Sequence, residues 1–311
     1  MIKRVQQKIT QKSSPSKLES KQWQYIMLIV LAFIWGSSFL LMKKGLQSFS
    51  PFQVAGLRLF LSFLFFLPFV FRVVNKLNRK NLVALLIVGF VGNGIPAIMF
   101  TVGQTEVSSA LAGILNSLVP LFTLLVGISI FRTATGWKNV LGVVIGLSGT
   151  VGLILNGEGL FMNGNLWYSL FIIVATVCYA ISTNVIKEKL QELDGFSVAA
   201  LSFVLVGPWA GAYLAFSNLP AAFEAEGALT SFCFIVLLSF FSSFLAVILF
   251  NVLIKYTTAL FATSVTYIIP VFAIFWGLVD GEELRVVQLI WIAIILFGIY
   301  LVNQKIVRTL K

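Results

Sequence analysis

The chain of 311 residues is 59% hydrophobic and only 11% charged, with a mean hydropathy of +0.99. Soluble domains carry about 25% charged residues, so an ordinary soluble fold is excluded and an integral membrane protein is implied. Its 22 basic against 11 acidic residues would suggest nucleic acid as a partner for a soluble chain; in a membrane chain they are first an orientation signal, and no nucleic-acid partner is expected.

A membrane helix takes about 20 apolar residues, whereas barrel strands alternate over about ten. The unbroken runs Leu82 to Phe100 and Phe232 to Ile254 therefore specify helices. In chain order, the apolar runs between charged or turn-rich breaks predict spans at 25–42, 52–71, 82–103, 108–131, 139–156, 166–186, 196–217, 230–254, 259–279 and 286–303. The expected fold is an all-α integral membrane protein with ten transmembrane helices. Residues 1–24 form a basic tail with neither an apolar core nor a small-residue cleavage site, so no removable signal is expected, and 305–311 form a second tail. Cys178 and Cys233 fall inside apolar runs and read as small packing residues.

Arg58 is the single charged residue within these spans. With the amino terminus in the cytoplasm, eighteen basic residues fall on the inner side and only Lys43, Lys44 and Arg285 on the outer. The outer side collects seven acids instead: Glu106, Glu158, Glu224, Glu226, Asp280, Glu282 and Glu283. The positive-inside bias thus places both termini in the cytoplasm, and an even number of spans preserves the asymmetry.

The chain repeats itself. A shift of 144 gives eleven identities over the 35 positions from Trp23 to Leu57, among them Ser38 on Ser182 and Lys43 on Lys187. A shift of 150 places Phe100 on Phe250, Pro120 on Pro270 and Gly127 on Gly277. Two five-helix copies result, 25–156 and 166–304, and an odd span count per copy makes the second start on the opposite side of the membrane. Inverted repeats of this kind are the architecture of many secondary transporters, with the site near the midplane between the halves. A duplicated bundle also suits a channel, a scramblase or a scaffold.

Trp35-Gly36-Ser37-Ser38-Phe39 in the first span, Arg58 shortly after Pro51 in the second, and small residues leading to Pro120 in the fourth resemble the EamA repeat of the drug/metabolite transporter superfamily, in both halves and over about 25–304. The resemblance implies ten helices, two EamA units and a permease of a bacterial inner membrane that moves metabolites, often by efflux of amino acids or related compounds. The family's acidic residue after the fourth span has its counterpart in Glu282, but the first copy carries Arg132 there, which reads as an inside anchor.

Candidate pathway residues follow from helix breaks and polarity. Proline removes a backbone donor and releases the carbonyl four residues earlier, which in lipid needs a partner or a cavity. Pro120 frees Asn116, Pro270 frees Thr266, next to Tyr267, and Pro96 frees Gly92, beside Asn93. Trp35 and its counterpart Tyr179, followed by Ser38 and Ser182, offer stacking faces and donors to an organic solute; Asn184, Thr183, Ser243 and Gln104 are further polar candidates. Each also has a structural reading, as helix packing or as polar glue between helices. Arg58 is a possible anion contact, or a side chain that snorkels to the interface.

The chain has no histidine, and no Asp or Glu lies within a span, so a buried proton relay is not expected and a facilitator or exchanger is. No phosphate-gripping glycine loop is present, which disfavours an ATP-driven pump. Neither a metal site nor a cofactor is expected, and the clustered acids, histidines or base-paired nucleophile of a membrane enzyme are missing. The expected partners are a small-molecule solute and the lipid bilayer; oligomeric state is left open.

Overall fold

The computed structural model describes residues 20–133, 136–156, 166–281 and 286–302, and among them it is helical throughout, with no strand. The tails, Glu158, Glu282, Glu283 and Arg285 lie outside the described residues. The helices are α1 (Lys21–Gly45), α2 (Pro51–Lys76), α3 (Arg79–Gly103), α4 (Ser109–Ser129), α5 (Trp137–Asn156), α6 (Leu166–Lys189), α7 (Gly195–Phe216), α8 (Ala228–Tyr256), α9 (Ala259–Val279) and α10 (Val286–Val302), with a short turn of helix, Leu219–Phe223, before α8. Among the described residues, α1 to α4 and α6 to α9 are the eight helices long and apolar enough to cross a membrane.

Short polar residues set the helix starts. Ser50 accepts a hydrogen bond from the backbone N–H of Gln53, whose side chain returns the bond to Ser50, and Pro51 fills the first position of α2. Asn78 and Asn81 form the same reciprocal pair ahead of α3, and Asp194 caps α7. Within the spans, prolines and small residues interrupt the regular ladder. α4 breaks at Ser117 and Leu118, restarting just before Pro120; α9 tightens to a three-residue pitch over Ser264–Tyr267 before Pro270. Over Ile87–Gly94 in α3 and Leu238–Leu245 in α8 the turns widen to i→i+5 bonding, at matching places in the two halves. Such wide turns are rare and concentrate at functional sites.

Two pairs of helices at matching places in the two halves, α2 with α7 and α5 with α10, pack on each other and run antiparallel. Along α2 and α7, Phe52 meets Tyr213, Phe60 lies on Gly211, Phe63 on Gly207, Phe66 stacks on Phe203 at 5.4 Å between ring centroids, and Phe69 meets Phe196. One number rises as the other falls. In α5 and α10, Gly149 faces Ile295, Gly152 faces Trp291, and a Cβ on Gly298 would lie 2.4 Å from the backbone nitrogen of Gly146. Small residues let membrane helices approach this closely, where packing replaces the hydrophobic drive.

The remaining contacts interlock the halves reciprocally: α1 packs on α8 and α9, and α6 on α3 and α4. Between α1 and α9, Trp276 Nε1 donates to Ser37 Oγ at 2.8 Å, and Gly36 lies against Phe272. Ion pairs sit at opposite ends of the bundle. At one end Asp280 takes Lys44 at 2.6 Å and Lys43 at 2.8 Å. At the other, Lys76 reaches Asp194 at 2.6 Å and Ser197 Oγ at 2.9 Å. Each joins the first half to the second.

Candidate functional site

Where the halves meet, a cavity of about 100 Å³ is walled by α1 to α4 and α6 to α9, while α5 and α10 stand outside it. A water needs roughly 10–15 Å³ of such space, so several fit. The wall is built twice over. At a shift of 144, Trp35 faces it with Tyr179 and Ser38 with Ser182; at a shift of 150, Gly92 with Ser242, Asn93 with Ser243, Phe100 with Phe250 and Asn116 with Thr266. Both members of every one of these pairs line the same space.

Arg58 breaks the symmetry. Its counterpart at 144, Ser202, is fully buried, gives its hydroxyl to the carbonyl of Ala199 and does not line the cavity. Arg58 is the one charged residue in the described wall, and no acid accompanies it.

The wide turns of α8 receive the first half's polar side chains. Trp35 Nε1 donates to the carbonyl of Ser242 at 3.0 Å, and Arg58 Nε donates to Ser243 Oγ at 2.7 Å. Ser62 Oγ, one turn from Arg58, contacts both the carbonyl of Arg58 and that of Ser239. A ladder that slips from i→i+4 to i→i+5 turns carbonyls away from the helix axis, which leaves them open to such donors. In α3, the Asn93 amide donates to the Val88 carbonyl at 2.9 Å across the matching wide turn. Aromatic rings close the sides: Trp35 meets Phe250 edge-on at 5.1 Å, and Tyr179 lies 5.9 Å from Phe100.

Two polar atoms in this wall have no hydrogen-bond partner among the described residues: Asn116 Oδ1 and Ser242 Oγ. Both residues are in the wall and almost fully buried. A buried polar atom without a partner costs about 1–3 kcal/mol.

Of the residues singled out in the sequence, Trp35, Ser38, Arg58, Asn93, Asn116, Tyr179, Ser182 and Thr266 come together around the cavity. Asn184 does not: its amide donates to the carbonyls of Thr123 at 3.0 Å and Ala180 at 2.9 Å, tying α6 to α4. Tyr267 also points elsewhere, into a small cluster with Ile114 and Ile295. Pro96, Pro120 and Pro270 lie outside the wall as well, at the starts of helical segments next to it. Gln104 donates to the carbonyl of Phe39 and joins α3 to α1.

Sequence reasoning left out Ser242, Asn251 and Phe203, and treated Phe100 and Phe250 only as marks of the repeat. The repeat held the missing signal for three of these. Ser242 matches Gly92, and Phe203 matches Leu59, which also lines the cavity. Phe250 matches Phe100.

Known proteins share this organisation. The model of the EamA-like transporter family matches residues 22–155 and again 166–304. The chain is 28% identical to the "Uncharacterized inner membrane transporter YedA" of Escherichia coli (strain K12), covering 89% of each chain. It is 26% identical to the "S-adenosylmethionine/S-adenosylhomocysteine transporter" of Chlamydia muridarum, over 83% of this chain and 85% of that one. A solved crystal structure superposes with a TM-score of 0.68 at 16% identity, covering 91% of this chain and 97% of the other, which shows a shared fold. With the family's signature matched in both halves of the sequence, this chain belongs to the EamA-like transporter family.

Proposed function

We propose that this protein is a secondary transporter of the inner membrane that moves a small organic metabolite, in the efflux direction, through the cavity between its halves. α5 and α10 complete ten spans, 25–156 and 166–304 act as two inverted five-helix units, and both termini face the cytoplasm. The observation that carries this reading is the doubled wall, in which repeat-equivalent residues from the two halves enclose one space. If the halves exchange their slightly different conformations, the same wall opens first to one side and then to the other. Relatives named as transporters, one of them for S-adenosylmethionine and S-adenosylhomocysteine, support a solute of metabolite size.

Neither acid nor histidine faces the cavity among the described residues, so the solute gradient itself drives flux, by facilitation or exchange. A panel of amino acids and related metabolites tested for counterflow in proteoliposomes decides the matter. Saturable counterflow that survives a protonophore is expected. Flux without saturation would indicate a channel, flux of lipid a scramblase, and no flux of any solute a scaffold.

A further inference from the structure

We infer that the cavity takes a solute with a single carboxylate held by Arg58 and an aromatic or flat apolar body. The inference rests on the reading of the cavity as a solute site.

A guanidinium has five N–H donors in a fixed fork. Arg58 spends one of them, Nε, on Ser243, and that is the guanidinium's one hydrogen bond to the described residues. An intramembrane cation without a counter-charge is costly, and retained ones mark sites of function. The remaining edge of the fork matches the two oxygens of a carboxylate. The match is to one negative charge, because no second cation lines the described wall. A phosphate monoester brings between one and two charges near neutral pH and would leave part of its charge unmatched where water is scarce. Since Ser202, the counterpart of Arg58, lies away from the wall, the charge sits on one side of an otherwise paired cavity and gives a bound anion one orientation.

The rest of the wall sets the rest of the solute. Trp35, Phe100, Tyr179 and Phe250 present rings to the space between, which favours a planar or apolar body.

The test is a ligand series on one phenyl body, measured by calorimetry with the purified full-length protein: 3-phenyllactate, its amide, 3-phenylpropionate, phenethylamine and phenyl phosphate. Phenyllactate should bind at least about tenfold more tightly than its amide, the amine and the phosphate, and phenylpropionate, which keeps the carboxylate and the ring, should match it to within a few-fold. Arg58→Gln should erase the preference for phenyllactate over its amide, and Arg58→Lys should restore part of it. Equal binding of acid and amide, failure of every member to bind, or an undiminished preference in Arg58→Gln would overturn the inference. If that variant does not fold, the ranking on the unaltered protein decides alone. Charge-selective binding without flux in proteoliposomes would defeat the transport reading and leave this one standing; saturable flux with no charge preference would do the reverse.

Discussion

Lys44 Nζ lies 2.6 Å from Asp280 Oδ1, across 236 residues of sequence, and ties the end of α1 to the end of α9. Hydrogen bonds from Lys43 and then Lys44 hold the Asp280 carboxyl below the usual aspartate range, against the upward push of partial burial. The folded carboxyl therefore binds protons less readily than the unfolded one. Its stabilisation is complete above the ordinary value near ~4 and is lost as pH falls through the lower folded value. Thermal unfolding in detergent should show stability falling below about pH 4, and Asp280→Asn should flatten that slope. The loss should be about 1 kcal/mol or less, since both lysines are part-exposed.

Asp194 provides the matching contact at the other end. Burial raises its pKa, but Lys76 and the hydroxyl and backbone N–H of Ser197 outweigh this and hold it well below the ordinary range. The sign is that of Asp280. If the cavity opens as proposed, each of these contacts resists opening at its own end. Single variants Lys76→Met and Asp280→Asn should shift accessibility of the cavity to opposite sides, read by labelling of a cysteine placed at Ser243 with a membrane-impermeant thiol reagent. Shifts in the same direction would show that the pairs have no part in opening.

Asn116 and Asn184 separate binding from support. Asn116→Ala removes a polar side chain from the wall and should raise KM by roughly 3- to 10-fold with little loss of folded protein, the scale of one neutral hydrogen bond. Asn184→Leu strips donors from two buried carbonyls, so the unfolding midpoint should fall while KM stays put. A change in KM from Asn184→Leu, measured in the same counterflow assay, would return that residue to the pathway.

Trp35→Phe keeps a ring beside Phe250 but takes the N–H from the Ser242 carbonyl. Leaving that acceptor open should cost about 1–3 kcal/mol of stability. Trp35→Ala removes the ring as well, and should weaken solute affinity beyond the phenylalanine variant. Equal affinities would assign Trp35 to packing alone.

The α5–α10 contact gives a paired control. Gly298→Ala would place a methyl 2.4 Å from the Gly146 nitrogen and 2.6 Å from the Gly142 carbonyl oxygen, backbone that cannot swing aside. Overpacking of this kind costs about 1–3 kcal/mol. At Gly146 an added Cβ meets nothing within 4 Å, so Gly146→Ala should be neutral or slightly stabilising. Comparison of the two unfolding midpoints checks the packing directly.

The helices were legible because lipid enforces long apolar runs; the capping side chains of Ser50, Asn78 and Asp194, which fix where three of them start, were not read from the sequence. The spans at 139–156 and 286–303 correspond to α5 and α10, which fall outside the eight helices that meet the length and hydropathy criteria for crossing. Around the cavity the repeat did most of the predicting: Trp35 with Tyr179 and Asn116 with Thr266 were visible as pairs before any geometry was known. Direction around a helix was not visible. Thr266 and Tyr267 are neighbours in sequence, yet the tightened turn between Thr263 and Pro270 sends one to the cavity and the other to Ile295. The slip to wider turns at Leu238–Leu245 left no mark in residue type that could be read beforehand, and the partners of Trp35 and Arg58 went unseen with it.

A wall written twice has a bearing on how such a protein changes over time. A substitution at Asn93 or at Ser243 alters one edge of the space and leaves its twin as it was, so the two postures of the proposed exchange, equal in energy for a perfectly duplicated chain, would become unequal. Drift in single residues would then tune which way the molecule idles. Exchanging the two side chains, Asn93→Ser together with Ser243→Asn, would turn that bias around.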